Sequence, residues 1–403
     1  MTPAIVSVHH HLRPGGVSTV IAHTGQILGD AGVPHLVLSR ETPGLESLDY
    51  DEHRSGDLAP ALLRSAEKRL GDAPRVWHFH NPCLGRNPAL TRSLAVLAGA
   101  GEAMILQHHD LAEDARPRNL EVLRSVPVPY PVSPRLAHAF LNHRDLDAFT
   151  GAGLAEDQAV LLPNPIVPRP PSPPPPDGAP VVLMPMRGIP RKNLGEFLLL
   201  AAAAPTGARF LQGSAPEQEN WRPAYDAWRR FAESHSLPVV FDVFRDRRPE
   251  ACIDRATHVV TTSTREGFGM IHAEAAGRRR VIGRRIPYLD LEGFPTDGLY
   301  DALVIDGRDF GHLDDEAQRA RLLAFARGEI DVAVEQRGRK TPLRAWLRGQ
   351  LDDRQPWDAS VALAGHSPES HLRRLLDLRD RLLAAPQRPI GQLDPELIAR
   401  AFP

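Results

Sequence analysis

Apolar and polar positions follow a repeating rhythm along this chain: short runs of buried-type residues, then longer segments with helical spacing. "AIVSVH" is followed by helical periodicity over Val17 to Ala31, then by "HLVLS", the helix "LAPALLRSAEKRL", "RVWHFH", "PALTRSLAVLAG" and "AMILQ". Buried strands separated by helices of about ten residues or more predict βαβ units and a parallel sheet. "PYPVS", a helical pattern over Pro134 to Phe149 and "AVLLPNP" close this half.

Between Ile166 and Pro180, "IVPRPPSPPPPDGAP" is more than half proline. Such a run lacks donors for a sheet and stiffens the backbone, so it is read as an interdomain linker. The alternation then restarts: "VVLMPM", a helix around "NLGEFLLLAAA", "ARFLQG", a Trp-containing helix from Pro216 to Ser234, "LPVVFDV", "ATHVVTTS", a helix inside "TREGFGMIHAEAAG" and "RRVIG". The expected organisation is a first α/β domain over 1–165, a linker over 166–180 and a second α/β domain over 181–403. From about Asp314 the pattern is mostly helical, with Ser367 and Glu369 suited to a helix start, and these last helices are expected to return to the first domain.

With 403 residues the chain is long enough for two to three domains, and a net charge of -2 gives no electrostatic case for nucleic acid. Two cysteines cannot build a disulfide framework, no signal-peptide pattern opens the chain, and the longest apolar run, Phe197 to Ala204, is too short to span a bilayer. A cytoplasmic protein without a transmembrane segment is expected; peripheral membrane contact and homodimerisation stay open. Of 48 basic residues only Lys68, Lys192 and Lys340 are lysine, which makes each of them conspicuous.

Open α/β sheets bind ligands beyond the carboxyl ends of their strands, so the segments after the strands are where chemistry is sought. After the first strand, Gly15 and Gly16 open a helix, where bare backbone lets a phosphate approach; a plain tight turn explains the pair equally well. Seven histidines, His9, His10, His11, His78, His80, His108 and His109, gather near strand ends. They lack the spacing of a zinc site, so they are read as site lining or satisfied structural residues, and no metal is predicted. Asp145 and Asp147 form an Asp-x-Asp pair on an apparent helix and are read as surface charge.

In the second half, "RGIPRKN" sets Arg187 and Lys192 across a turn into a helix, a guanidinium fork and an ammonium that together could neutralise a diphosphate. "TREGFGMIHAEAAG" carries Glu266 before a helix and Glu274 inside it, with Gly267, Phe268, Gly269 and Met270 between. Wholly helical, the two carboxylates would stand about 12 Å apart, comparable to the span from a ribose to a sugar across a pyrophosphate. The alternative is a pair of surface glutamates, which leaves the Gly-Phe-Gly turn without a reason.

Together these motifs resemble the retaining glycosyltransferases of family 4, whose GT-B fold joins two Rossmann-like doubly wound sheets across a cleft. "RPGGVSTVI", "QHHD", "PVSPRL" and "LLPNP" match the first half of that pattern; "RGIPRKN", "FLQGSAP" and "TTSTREGFGMIHAEAAG" match the second. The resemblance implies metal-independent transfer of a hexose from a nucleotide diphosphate sugar, such as UDP-glucose or GDP-mannose, with retained anomeric configuration and no further cofactor.

Arg187 and Lys192 would bind the diphosphate with Gly15 and Gly16 approaching it. Glu266 would contact the hexose with the Phe268 and Gly269 amides nearby, the Gly267–Phe268–Gly269 turn would hold the diphosphate, Met270 would belong to the donor site, Glu274 would hold the ribose, and His109 would sit at the reacting centre. In this implied mechanism the acceptor attacks from the face the nucleotide leaves, and domain closure excludes water. "GRRIPYLDLEGFPTDGLYD" and the stretch from Arg339 to Leu372 depart from the family pattern. "HHHLRPGG" and "GRRIP" suggest a small anionic acceptor, as in the glucosylglycerate and mannosylglucosylglycerate synthase branch, with His11, Arg13, His80 and Asn81 as acceptor contacts. A nucleotide-sugar hydrolase or epimerase, or a non-catalytic nucleotide-sugar-binding partner, are the alternatives.

Overall fold

A computed structural model describes residues 2–167, 172–275, 277–289, 297–300, 342–358 and 360–402. The chain divides into two compact units, Met1–Pro168 with Ala364–Pro403, and Arg169–Leu363. The second unit thus stops at Leu363 instead of running to 403, and the closing segment belongs to the first.

In the first unit, β1 (Ala4–Val8), β2 (His35–Leu38), β3 (Arg75–His80), β4 (Ala103–His108), β6 (Leu136–Phe140) and β7 (Ala159–Leu161) form one parallel sheet in the order β2-β1-β3-β4-β6-β7; β5 (Pro131–Val132) lies outside it. The helices α1 (Gly16–Asp30), α2 (Ala59–Leu70), α3 (Pro88–Gly99), α4 (Pro117–Arg124) and α5 (His143–Gly151) connect them. β1, β4 and β6 are buried at every position. That explains their nearly unbroken apolar runs, since a sheet covered on both faces has no wet side to pattern.

The helix Pro368–Ala384 supplies part of that cover, burying Leu375, Leu378 and Leu382 against Ile5, Val76 and Ile105. Ser367 caps it by accepting the Ser370 N–H at 3.2 Å. Ser367→Ala leaves that helix-end donor unmet and is expected to destabilise the unit by about 1 kcal/mol, read as a lower urea midpoint at constant slope, with Ser367→Gly closer to wild type.

In the second unit, β8 (Val181–Arg187), β9 (Arg209–Ser214), β10 (Val239–Val240), β11 (His258–Thr261), β12 (Arg280–Arg284) and β13 (Leu299–Tyr300) form a parallel sheet in the order β10-β9-β8-β11-β12-β13. Its helices include α6 (Leu194–Ala203), α7 (Arg222–Ser234), α8 (Pro249–Arg255), α9 (Met270–Ala275) and Pro342–Asp352. α6 is buried all round, which its LGEFLLLAAA composition requires. Its one charge, Glu196, is fully buried and is held by Arg284 at 2.9 Å and by the side-chain amide of Asn193, the residue that caps the helix.

The structure corrects several local readings. The helix expected over Pro134 to Phe149 is a strand, β6, followed by α5, because Leu136–Phe140 is buried on both sides between β4 and β7. Asp145 is no surface charge: it is 3% exposed in the first turn of α5, accepting from the Asn142 amide and paired with Arg144 at 2.7 Å. Asp147 is exposed, as expected.

The Trp-containing helix begins at Arg222 after a 3-10 turn, and α4 and α8, both opened by proline, were not anticipated. The proline run is less a free tether than its composition suggests. Ile166 is buried and its N–H reaches His366 O, while Arg279 donates to Pro173 O and Arg354 to Pro176 O. Residues 168–171 lie outside the described residues, as do most of the helical pattern after Asp314 and part of "GRRIPYLDLEGFPTDGLYD".

Candidate active site

In the second unit the strand order reverses between β8 and β11, so the loops leaving these neighbouring strands run side by side at the place where doubly wound sheets take ligands. After β8 the chain passes Gly188 into a 3-10 turn, Pro190–Lys192, and Asn193 takes the left-handed conformation (φ 49°) that turns it into α6. After β11, Thr262 Oγ1 donates to Lys192 O (2.7 Å) and Asn193 O (3.1 Å), and the Thr264 N–H donates to Arg191 O (2.8 Å). These bonds stitch the two loops together and fix what their side chains meet.

They meet at Glu266. Lys192 Nζ donates to its Oε1, and Arg191 Nη1 donates to its Oε2 at 3.0 Å and to Arg265 O at 3.0 Å. The Lys192 and Glu266 side chains are only 12% and 11% exposed. Burial alone would raise the carboxyl's pKa, but the Lys192 and Arg191 charges, with hydrogen bonds from Lys192 and Ser263, win and hold it down at about 2. Two cations on one carboxylate leave a net positive group, with electrostatics suited to an anionic ligand. Arg187, at the end of β8, pairs with Glu217 at 3.1 Å, while Arg191, which the sequence did not single out, stands beside Lys192 on Glu266.

Glu266 is followed by the half-buried Gly267, the buried Phe268 and Gly269. Gly269 has φ +74°, and a Cβ there would lie 2.8 Å from Leu289 Cδ2, so both backbone and packing require glycine. Met270 opens α9 and Glu274 follows one turn on, partly buried. His272 on the same short helix is buried, its ring 5.9 Å from Trp357 and near parallel to it, and its Nδ1 has no partner among the described residues. Burial, with Lys192 adding to it and Glu266 opposing it, lowers its pKa to about 4, so it stands beside the ion pair as a neutral ring.

In the first unit the order reverses between β1 and β3. Gly15 and Gly16, after β1, are exposed, and the space a Gly16 side chain would fill is open. His11 is half-buried with its ring edge-on to Tyr50 at 4.8 Å, and Arg13 is exposed and paired with Asp49 (2.6 Å), which Arg40 also holds. Deeper in, His80 ends β3 and Asn81 follows with φ 55°. Asn81 Oδ1 accepts the N–H groups of His109 (2.7 Å) and Asp110 (3.0 Å), and His80 Nδ1 lies 2.9 Å from His109 Nε2. His80 is fully buried, Asn81 is 3% exposed and His109 6%. Burial lowers the pKa of His109 to about 4, with Asp110 opposing, so its ring is neutral near pH 7.

The sequence reading missed Arg191 and His272. Arg191 had no contrast in an arginine-dominated chain; its signal was adjacency to Lys192. His272 had only its place between the two glutamates. Among the described residues no group of three or more His, Cys, Asp or Glu is arranged to hold a metal, and no helix is long and apolar enough to cross a membrane.

No family model matches the chain. Among curated proteins it is similar to a mannosylglucosyl-3-phosphoglycerate synthase of Petrotoga mobilis, at 23% identity over 74% of this chain and 68% of that protein. Among solved structures it is similar to Anabaena HepE in complex with UDP (TM-score 0.51, 14% identity, 93% of this chain and 99% of that one). It is also similar to AviGT4, a glycosyltransferase involved in avilamycin A biosynthesis (0.51, 18%, 95% and 98%). A third is the catalytic domain of starch synthase IV from Arabidopsis thaliana bound to ADP and acarbose (0.53, 11%, 95% and 99%). With two doubly wound parallel sheets and these structural relatives, the chain has the GT-B fold.

Proposed function

We propose that this protein is a retaining, family 4-like glycosyltransferase that moves a hexose from a nucleotide diphosphate sugar to a hydroxyl of a small anionic acceptor, without a metal. The observation that carries the reading is the Lys192–Arg191–Glu266 cluster at the point where the second sheet reverses. A buried carboxylate held ionised by two cations can accept from sugar hydroxyls, while the excess positive charge attracts the diphosphate. Lys192 and Arg191, with Arg187, bind the departing diphosphate; Glu266 and the Gly267–Met270 turn face the hexose; Glu274 holds the ribose hydroxyls. His109 serves the reacting hexose and Gly16 the donor phosphate from the first unit.

In this reading the acceptor hydroxyl attacks the anomeric carbon from the face the diphosphate leaves, and the leaving phosphate oxygen takes the hydroxyl proton. Catalysis is positioning and charge stabilisation, with no protein nucleophile. The likeness to a mannosylglucosyl-3-phosphoglycerate synthase, and the two arginines gathered on one Asp49, support an anionic acceptor.

Titration calorimetry with UDP-glucose, GDP-mannose and UDP-N-acetylglucosamine tests donor recognition. One of them is expected to bind, and Glu274→Ala is expected to weaken it roughly tenfold, as loss of a hydrogen bond to a charged group does. No binding of any of the three, or equal affinity of the variant, opposes the reading.

A further inference from the structure

His80 and Asn81 sit behind His109 with their polar atoms turned towards it, and the hydrogen-bond partners around them determine where the protons are. In the neighbouring strand pair His138 Nε2 faces Pro131 O at 3.0 Å. A carbonyl can only accept, so His138 carries its proton on Nε2 and accepts from His108 Nε2 through Nδ1, 3.0 Å away. His78 Nε2 faces Gln107 Oε1 at 2.7 Å, and that amide is oriented because its Nε2 donates to Leu162 O at 3.1 Å. His78 is therefore protonated on Nε2, and its Nδ1, which has no partner among the described residues, is a lone pair.

No carbonyl assigns the His80 ring. Its Nδ1 bonds His109 Nε2, and its Nε2 is buried with no partner among the described residues. If the proton stood on Nε2, a buried N–H would be left without an acceptor; on Nδ1 it serves the bond to His109, and only a lone pair is left over. Orphaned buried N–H groups are the rarer and costlier of the two. His109 must then accept through Nε2 and carry its own proton on Nδ1.

We propose that His80 is a positioning residue that fixes His109 in the Nδ1–H tautomer, so that His109 offers a donor from that nitrogen, while Asn81 holds its backbone. This rests on the reading that His109 serves the transferred hexose, and it moves His80 and Asn81 from the acceptor-contact role expected from sequence to a role behind His109. A ring fixed this way donates to a sugar oxygen and cannot act as a base through Nε2.

Long-range proton–nitrogen correlation spectra of full-length protein labelled with 15N-histidine read the tautomers without any substrate. His109 is expected to show a protonated Nδ1 and a bare Nε2, and His80 a protonated Nδ1. A protonated His109 Nε2 would overturn the proposal, whether or not the protein transfers sugar. In turnover, His80→Phe keeps ring volume but removes the donor. It should lower kcat roughly tenfold with donor KM within about twofold, the size expected for one hydrogen bond. His80→Asn, whose amide N–H can stand near the place of Nδ1–H, should recover most of that loss. Wild-type kcat in His80→Phe contradicts the proposal. If His80→Phe does not fold, the tautomer spectrum of the wild-type protein decides. Loss of all transferase activity in wild type would sink the glycosyltransferase reading and leave the tautomer assignment standing.

Discussion

Replacing Lys192 by methionine is expected to lower turnover of the proposed sugar-nucleotide donor by about two to three orders of magnitude, the range seen when a preorganised group facing developing charge is removed. The substitution cancels the excess positive charge of the cluster, leaving Arg191 alone against Glu266. It also removes the largest influence that holds the buried carboxyl at about 2, so burial pulls its pKa upward. Some stability is lost as well, because a buried carboxylate loses a partner.

The two effects separate in the double variant Lys192→Met with Glu266→Gln. Without the carboxylate to compensate, thermal stability should largely return while turnover stays low. Donor turnover and melting temperature measured on both variants check this; turnover within about twofold of wild type in Lys192→Met refutes the role given to Lys192.

Acidification from pH 7 towards pH 5 should strip the first unit of several kcal/mol. His10, His35, His109, His138 and His371 are lowered to about 4 and His78 to about 3, all chiefly by burial. In the unfolded chain these rings take up protons near pH 6.5. Between that pH and the folded values the unfolded state binds more protons. Their stabilising contribution is thus complete above about pH 6.5 and is lost as pH falls towards 4. Each ring accounts for roughly 1.4 kcal/mol per pH unit in that window, so a few of them rival the 5–15 kcal/mol, in round figures, of an ordinary domain.

Glu113 works in the opposite sense. Burial raises its carboxyl to about 7, against hydrogen bonds that lower it, so it takes up its proton in the folded state first and favours folding below that pH. One such group does not offset six imidazoles. Glu266, ionised in both states above about pH 5, contributes nothing here. Hydrogen exchange of β1, β3 and β4 at pH 7.5, 6 and 5 reads the effect; equal protection at all three pH values contradicts it.

Much of this fold was legible because the buried runs are so regular. α3 spans Pro88–Gly99, as its spacing predicted, and Ser367 caps the helix it was expected to cap. Legibility failed where periodicity was ambiguous. Leu136–Phe140 reads as part of a helix because a strand buried on both faces has no alternation, and its fate depends on the strands beside it. Asp145 looked like surface charge because sequence does not show that Asn142 and Arg144 satisfy it in place.

At the candidate site, the sequence pointed to Lys192 and Glu266 but not to their direct ion pair or to Arg191. Those follow from strand order, which sets the loops after β8 and β11 side by side. The His80–His109 bond is of the same kind: it joins the ends of two strands, and its direction depends on burial that no local pattern encodes.

The central claim is transfer of a hexose from a nucleotide sugar. The most direct test incubates purified protein with UDP-glucose, GDP-mannose or UDP-N-acetylglucosamine, each with and without a panel of small acidic hydroxyl compounds such as glycerate and sugar acids, and follows the products by NMR. The account predicts that one donor is consumed faster with one acceptor, yielding a new glycoside with the donor's anomeric configuration. Donors left intact in every mixture, or consumed at the same rate with no glycoside formed, would contradict it.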